Sequence, residues 1–159
     1  MRLFALAAVA AFALDQITKI WVRRALEVGE SRPFLPDWMH LEHVQNHGAA
    51  WSILSGQKWL LIGFTLLIVG VILHSAREVA ARGALAAAGF GLILGGAVGN
   101  LFDRIAFGHV TDFFDLDTPF SVLQTFPVFN IADSALTVGV VLMLLSLFLT
   151  RPPAPGASP

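Results

Sequence analysis

The feature of this chain that most limits its fold is a set of four long apolar stretches. A transmembrane helix needs about 20 consecutive, mostly apolar residues, and four windows of the sequence reach or approach that length. Only 13% of the 159 residues are charged, which is well below the share typical of soluble domains. We therefore expect an α-helical integral membrane protein with spans at about residues 3–22, 59–75, 83–102 and 131–150.

The length of the chain fits a single domain, which we place at residues 1–150. The proline-rich residues 151–159 cannot form a helix and are expected to be disordered. The first span has a competing interpretation, because Met1, Arg2 and the apolar run that follows imitate a cleavable signal peptide. The basic region is minimal and apolar residues resume after Lys19, so we favour a helix that is retained.

An even number of spans places both ends of the chain on the same side of the membrane. The two long connections, residues 23–58 and 103–129, share the opposite side, and a short basic turn at residues 75–82 joins the middle spans. Lysines and arginines near the span ends are too evenly divided to set the orientation. Partial alternation in residues 41–46 predicts a small extracytoplasmic β-sheet, and phenylalanines among acids in residues 112–120 predict a short interfacial helix.

Ionisable side chains gather at one membrane face, at the ends of spans and in the long connections. Such residues are costly near a membrane, and each is a functional candidate by default. Asparagines join the charged residues, and the other face has no comparable group. The members of the group are Asp15, Asn46, Asn100, Asp103, Arg104, Asp112, Asn130 and Asp133.

Helical spacing brings several of these residues together. Asp15 and Lys19 are four residues apart, so they share a helix face and can pair. Asn130 can cap the fourth span, which leaves Asp133 at the third helical position, near the positive end of the helix dipole. A further group shares one face if the third span continues for another turn, namely Asn100, Asp103 and Arg104.

Each of these features also has a plain structural interpretation. The acid and base of the first span are most simply a neutralising pair. Asp103 and Arg104 fit an ordinary ion pair at the membrane boundary as well as they fit a functional role. Asp133 fits a residue that only stabilises the start of its helix equally well. From the residues alone, Asp112 is best interpreted as a solvated loop acid like its neighbours at positions 115 and 117.

Several other kinds of site find no support in the sequence. Cysteine is absent, which excludes disulfides and thiolate chemistry, and a net charge of −1 argues against a nucleic-acid partner. His40, His43 and His47 do not predict a metal site, because residues three apart in a strand point to opposite faces. No Gly-x-Ser-x-Gly motif supports a serine hydrolase. Overlapping Gly-x-x-x-Gly steps in the third span indicate close helix packing.

Five segments of the chain resemble the bacterial lipoprotein signal peptidases, also called signal peptidase II. The resemblance extends from residue 15 to residue 134 and includes the order of the motifs and the number of spans. Each motif is short, but five motifs in register are highly specific. One departure is Trp51, where the family usually has phenylalanine. The segments are DQITK at 15–19, NHGAAWS at 46–52, GGAVGNLFDR at 95–104, VTDF at 110–113 and FPVFNIADS at 126–134.

This resemblance implies an aspartic endopeptidase of the bacterial cytoplasmic membrane that uses no metal or cofactor. Such enzymes remove the signal peptide of a prolipoprotein by cutting before a cysteine that already carries diacylglycerol. The implied catalytic pair is Asp112 and Asp133, which overturns the interpretation of Asp112 as a loop acid. The resemblance also implies cytoplasmic termini and an active site on the outer face, and we expect a monomer in contact with membrane lipid. Residues expected to bind substrate or support the pair are Asp15, Lys19, Asn46, Gly48, Gly99, Asn100, Asp103, Arg104 and Asn130.

A small transporter or channel subunit is the competing class of protein. That class requires ionisable groups spread through the membrane, with at least one near the midplane. In this chain the charges gather at one interface, and the second and third spans have uncharged interiors. A purely structural subunit gives no reason for acids and asparagines to converge, so the peptidase remains the preferred prediction.

Overall fold

A computed structural model of the chain describes residues 1–49 and 53–149. Within those ranges, four helices are long and apolar enough to cross a membrane, as predicted. They are α1 (Arg2–Ala25), α2 (Lys58–Ala81), α3 (Ala84–Ala106) and α5 (Ile131–Leu149). The remaining elements are the short helix α4 (Ser121–Gln124) and the strands β1 (Ser31–Leu35), β2 (Met39–Asn46) and β3 (Val110–Asp115). The predicted tail at 151–159 and the departure at Trp51 lie outside the described residues.

Three spanning helices, α1, α2 and α3, are longer than their apolar windows. The predicted turn at residues 75–82 is wrong, because α2 remains helical to Ala81 and the chain turns only at Arg82 and Gly83. Glu78 and Arg82 pair at 2.8 Å with i, i+4 spacing, which favours helix where apolar residues have run out. Gly83 has a φ of 136°, a backbone conformation that suits glycine at the start of the next helix. Apolar windows mark the segment in hydrocarbon, whereas the helix itself continues into the polar region.

Helix α3 is the centre of the bundle, and it packs against each of the other three spanning helices. Of the residues in its apolar window 61% are buried, against 22–28% in the other spans. Glycines make this possible: a Cβ atom at Gly91 or Gly95 would collide with backbone oxygens of α1, and one at Gly96 would lie 2.5 Å from the carbonyl oxygen of Ala132 on α5. The predicted close packing through small residues is confirmed.

The three strands form one antiparallel sheet in the order β1-β2-β3. The sheet was predicted from β2, but the strand β3 was not. The predicted interfacial helix in this connection is reduced to the four residues of α4, while Val110–Asp115 is extended. A run of β-branched and aromatic residues favours strand when a partner is available, and β2 supplies it, with Val44 opposite Asp112 and Asn46 opposite Val110.

The sheet covers the end of the helix bundle at which the charged residues gather. Val22 and Leu26 at the end of α1 form a buried cluster with Leu41 of β2 and Phe113 of β3. Because side chains alternate along a strand, burying Phe113 against α1 turns the neighbouring side chain of Asp112 the other way. The fold therefore places one acid of the sheet over the end of the bundle.

Candidate active site

Asp112 and Asp133 lie together at this end of the bundle, joined by Asn130. The side-chain amide of Asn130 donates to Asp112 Oδ1 at 2.6 Å, and its backbone N–H donates to Asp133 Oδ2 at 3.2 Å. In return, the backbone N–H of Asp133 donates to Asn130 Oδ1 at 3.0 Å. This reciprocal cap confirms the predicted start of α5. Because Asn130 is fully buried, it holds the acid of β3 and the acid of α5 in one fixed arrangement.

Two further asparagines complete the hydrogen bonds of the pair. Asn46 of β2 donates to Asp112 Oδ2 at 2.9 Å, and Asn100 of α3 donates to Asp133 Oδ1 at 2.8 Å. Among the described residues, each carboxylate oxygen thus accepts one hydrogen bond, and the four bonds come from β2, α3 and the segment before α5. Hydrogen bonds of this kind fix the orientation of a carboxyl group as well as its charge.

A buried charge cluster lies directly behind the pair, between α1 and α3. The ammonium group of Lys19 is 2.9 Å from Asp15 Oδ2 and 3.4 Å from Asp103 Oδ2. It also donates to Asn100 Oδ1 at 2.8 Å. The side chains of all three charged residues are completely buried. The predicted pairing of Asp15 with Lys19 is confirmed, and the lysine also reaches the asparagine that contacts Asp133.

Asp103 and Arg104 do not form the boundary ion pair that the sequence also allowed. Asp103 turns inward, where it pairs with Lys19 and accepts the backbone N–H of Thr111 at 3.0 Å. Arg104 turns to the loop after β2 and donates to the carbonyl oxygen of Gly48 at 2.8 Å. The predicted extension of α3 to carry both residues is confirmed.

The two glycines expected in the site have distinct surroundings. Gly48 is buried, and its N–H donates to Asn46 Oδ1 at 2.9 Å, which orients the amide that contacts Asp112. Gly99 lies on α3 against α1, where an added Cβ would be 2.5 Å from Asp15 Oδ2. Gly99 therefore leaves the room in which Asp15 reaches Lys19.

Three residues of this region were not predicted. Arg23 donates to the hydroxyl of Thr111 at 2.9 Å and lies 3.5 Å from Asp103. Gln16 donates to Asp15 Oδ2 at 3.0 Å. The signal for Arg23 was present, since positions 15, 19 and 23 follow one helix face at i, i+4 steps. No comparable signal pointed to Thr111, whose contacts depend on a strand that was not predicted.

A cavity of about 430 Å³ opens beside the pair. Both acids line it together with Asn46, Asn100 and Arg104. Its other walls are mainly apolar, with Thr65 and Thr137 among them, and come mostly from α2, α3, α5 and the segment before α5. In the described part of the chain, α2 and α5 both pack on α3 and have almost no contact with each other. The apolar lining includes Leu61, Phe64, Ile68, Ala97, Phe126, Val128, Phe129 and Leu136.

Burial raises the pKa of Asp112 to about 7, and the neighbouring charge of Asp133 acts in the same direction. Hydrogen bonds from Asn46 and Asn130 act against this shift but do not overcome it. A carboxyl group that is 2% exposed thus keeps its proton to a pH at which an ordinary aspartate is ionised. The pair can therefore hold a carboxylic acid and a carboxylate side by side.

The three histidines considered above have separate partners. His40 lies 3.4 Å from Asp117, and Nδ1 of His43 lies 3.0 Å from the carbonyl oxygen of Leu26. His47 packs against His109, with ring centroids 5.4 Å apart. Among the described residues, no group of three or more His, Asp or Glu side chains is arranged to hold a metal ion.

A membrane-spanning bundle with a hydrogen-bonded aspartate pair beside an opening between helices has the features of an integral membrane aspartic peptidase. A sequence model of the family described as Signal peptidase (SPase) II matches residues 7–149. The chain belongs to the signal peptidase II family. It is a multi-pass membrane protein and an aspartic endopeptidase.

Individual relatives and solved structures agree with this assignment. The lipoprotein signal peptidase of Nostoc punctiforme is 42% identical over 159 residues, covering 98% of this chain and 95% of the relative. That of Geobacillus thermodenitrificans is 42% identical, covering 97% and 94%. A bacterial membrane enzyme solved by the in meso method at 2.3 Å superimposes with a TM-score of 0.85 at 31% identity, covering 95% of this chain and 92% of that one.

The raised pKa of Asp112 predicts a pH-dependent contribution to stability. The folded chain keeps a proton that the unfolded chain loses near the ordinary value of 3.8. This contribution is therefore complete below about pH 4 and is lost as the pH rises through about 7. Asp112→Asn removes the titration, so the melting temperature of the variant should improve relative to that of the wild type between about pH 5 and about pH 8.

The matched control is Asp37→Asn, the same chemical change at an exposed turn residue whose φ of 63° suits asparagine. Its melting temperature relative to the wild type should not follow the same pH course. A difference between Asp112→Asn and the wild type that stays constant across this range would contradict the raised pKa of Asp112.

Proposed function

We propose that Asp112 and Asp133 are the catalytic pair with which this enzyme removes signal peptides from prolipoproteins, cutting before a cysteine that carries diacylglycerol. The observation that supports this most directly is the pair itself. Two carboxyl groups, hydrogen-bonded through one buried asparagine, line the cavity between the helices. Removal of signal peptides from prolipoproteins is the activity of the family to which the chain belongs.

In the proposed reaction, one carboxylate takes a proton from a water molecule as the water oxygen attacks the scissile carbonyl carbon. The other, protonated carboxyl donates to the carbonyl oxygen and stabilises the tetrahedral intermediate. The amide nitrogen then receives a proton as the carbon–nitrogen bond breaks, and the pair returns to its singly protonated state. Two close carboxylates share one proton because both cannot readily ionise, which is the general behaviour of aspartic protease pairs. The two groups titrate as a unit, so the roles are assigned to the pair.

The other polar residues of the site hold this pair in place in the proposed enzyme. Asn46, Asn100 and Asn130 orient the two carboxyl groups through the hydrogen bonds described above. Arg104 fixes the loop at Gly48, which borders the cavity where the substrate backbone would lie. The residues that support the pair from behind are Asp15, Lys19, Gly99 and Asp103.

The opening between α2 and α5 is the proposed path for the lipid-bearing part of the substrate. Its walls at Phe64, Ile68 and Leu136 are apolar and lead from the membrane side to the acids. Acyl chains can therefore stay in an apolar environment while the peptide bond beside the cysteine reaches Asp112 and Asp133. Each methylene kept in lipid contributes about 0.8 kcal/mol, but this concentrates every lipidated substrate equally and selects none.

We place the enzyme in the bacterial cytoplasmic membrane as a monomer that needs no metal, cofactor or nucleic acid. Its termini and the α2–α3 turn face the cytoplasm, and the catalytic pair lies at the outer face. This orientation puts the sheet and the pair on the side to which prolipoproteins are exported. A transporter is not favoured, because the described charged residues of the site lie at one end of the bundle.

Replacing either acid tests the catalytic pair. Asp112→Asn and Asp133→Asn should each lower kcat by about 10⁴-fold, because each removes half of a unit that acts together. Asp115→Asn and Asp117→Asn are matched controls from the same connection and should keep near-normal turnover. The assay is cleavage of a diacylglyceryl prolipoprotein in detergent, with the fold checked by thermal unfolding. Near-normal turnover in either folded variant of the pair would contradict the mechanism.

Removing the lipid from the substrate tests the proposed path. An unlipidated prolipoprotein with the same signal helix should be cut at least about 100-fold more slowly, because a reacting group displaced by ~1 Å can lose that much rate. The comparison is kcat/KM for both substrates in the same bilayer, so that membrane partition is matched. Equal values would show that the lipid is not recognised, and the enzyme would then be a general membrane aspartic peptidase.

Single-cysteine labelling tests the orientation, since the natural chain contains no cysteine. Ser31→Cys on the exposed strand β1 should react with a membrane-impermeant reagent added outside the cell. Arg77→Cys, exposed near the end of α2, should react only after the membrane is opened. The reverse pattern would invert the proposed topology.

A further inference from the structure

The positive and negative side chains at the end of the bundle covered by the sheet are unequal in number. Within the part of the chain that the structure describes, four carboxyl groups meet three side-chain cations in one hydrogen-bonded and ion-paired network. If every group carried its usual charge, the network would hold one negative charge in excess. The acids are Asp15, Asp103, Asp112 and Asp133, and the cations are Lys19, Arg23 and Arg104.

Burial makes this excess costly. Lys19, Asp15 and Asp103 have no exposed side-chain surface, and Asp112 is 2% exposed. An uncompensated charge in such a place is neutralised by taking up a proton. Asp15 and Asp103 each have a cation within 3.5 Å, so their ionised forms are compensated. The single proton required for neutrality is therefore left to Asp112 and Asp133.

We infer that Lys19 is a positioning residue whose positive charge, linked to Asp133 through Asn100, sets the number of protons on the catalytic pair to one. This inference rests on the proposed function of the pair. It assigns to Lys19, which touches neither catalytic acid directly, control over the pH range in which the pair is active.

The path from Lys19 to the pair is a short hydrogen-bonded chain. The ammonium group can only donate, so Asn100 Oδ1 must accept from it at 2.8 Å. This fixes the orientation of the amide and leaves its N–H groups to donate to Asp133 Oδ1 at 2.8 Å. Asn130 also donates to Asn100 Oδ1 at 3.2 Å, so the same oxygen is connected to Asp112 through a second asparagine.

Two histidines and a lysine near the network can also contribute to the pH profile. Burial and the neighbouring His47 lower the pKa of His109, so this imidazole favours its neutral form. Nδ1 of His43 on β2 lies 3.0 Å from the carbonyl oxygen of Leu26. Lys58 at the start of α2 is partly exposed and lies over the ring of Trp59. The variants proposed below keep all of these groups, so their contributions cancel in the comparison.

The alternative is that Lys19 only ties α1 to α3. Both interpretations predict that loss of Lys19 harms the enzyme, but they differ on whether the net charge of the network affects the pH profile. If charge balance matters, removing a cation and removing an acid must move the pH profile in opposite directions. If Lys19 is only structural, the rate falls and the profile stays in place.

The test is the pH profile of kcat/KM for a diacylglyceryl prolipoprotein, using the full chain in one detergent. Lys19→Met should move the acidic midpoint upward by about one pH unit, because loss of a nearby cation favours the protonated pair. Asp15→Asn should move it downward, since it removes an acid while its remaining oxygen can still accept the N–H of Ala132. The double variant restores the net charge, so its midpoint should return close to the wild-type value. Arg82→Met, which removes an exposed cation at the other end of the bundle, should leave the profile unchanged.

Midpoints that move in the same direction for the two single variants, or that do not move, would overturn the inference. If Lys19→Met does not fold, Asp15→Asn and the double variant still decide it: a downward shift that the double variant cancels supports the inference, and no shift in Asp15→Asn contradicts it. These outcomes are separate from the test of the proposed catalytic pair, which fails if Asp112→Asn or Asp133→Asn remains active.

Discussion

The arrangement of the whole site depends on one buried ammonium group. Lys19 has no exposed surface and is bound by Asp15, Asp103 and Asn100. Removing one partner of a buried ion pair typically costs about 3–5 kcal/mol, because the remaining charge is left uncompensated, so the charged side chains of α1 and α3 depend on one another in the docked helices. The docking is close enough for it only because glycines face α1: a side chain at Gly99 would occupy the space of the Asp15 carboxylate. Helix packing and site chemistry therefore depend on the same few residues.

Two chains of contacts connect this cluster with the pair of Asp112 and Asp133. One passes through Asn100 to Asp133 on α5. The other passes through Asp103 and Arg23, which hold the backbone and the hydroxyl of Thr111 beside Asp112. Strand β3, which carries Asp112, is thus fixed to α1 and α3 by polar contacts as well as by the apolar cluster around Phe113. Asp112 from a strand and Asp133 from a helix are thus brought together, and neither lies as close to a cation as Asp15 lies to Lys19.

Features that depend on local spacing could be predicted from the sequence. The four spans, the pairing of Asp15 with Lys19 and the cap of Asn130 with Asp133 all follow from helical periodicity and from residues three or four apart. The identity of the family followed from motifs in register. The end of α2 was misplaced, because hydropathy reports the membrane boundary and not the end of the helix.

Features that depend on tertiary contacts could not be predicted in the same way. From its neighbours alone Asp112 was interpreted as a solvated acid, yet it is buried. Its hydrogen-bond partners Asn46 and Asn130 lie 66 and 18 residues away in the chain, so local sequence could not reveal them. Strand β3 forms against β2, and its partner is separated from it by two spanning helices. The contacts of Gln16, Arg23 and Thr111 depend on that placement. Only the resemblance to a family identified Asp112, and it gave Asp15, Lys19 and Asp103 as supporting residues without indicating that they form one buried cluster.

In the proposed enzyme, the buried network keeps one proton on the pair of Asp112 and Asp133. Infrared difference spectroscopy of the full chain tests it directly, because a protonated carboxyl group and a carboxylate absorb at different frequencies. We expect one protonated carboxyl group at a pH somewhat below 7. It should titrate away as the pH rises through about 7, and it should be missing from Asp112→Asn and Asp133→Asn. Two protonated carboxyl groups, or none, at a pH at which the enzyme cleaves its substrate would contradict it.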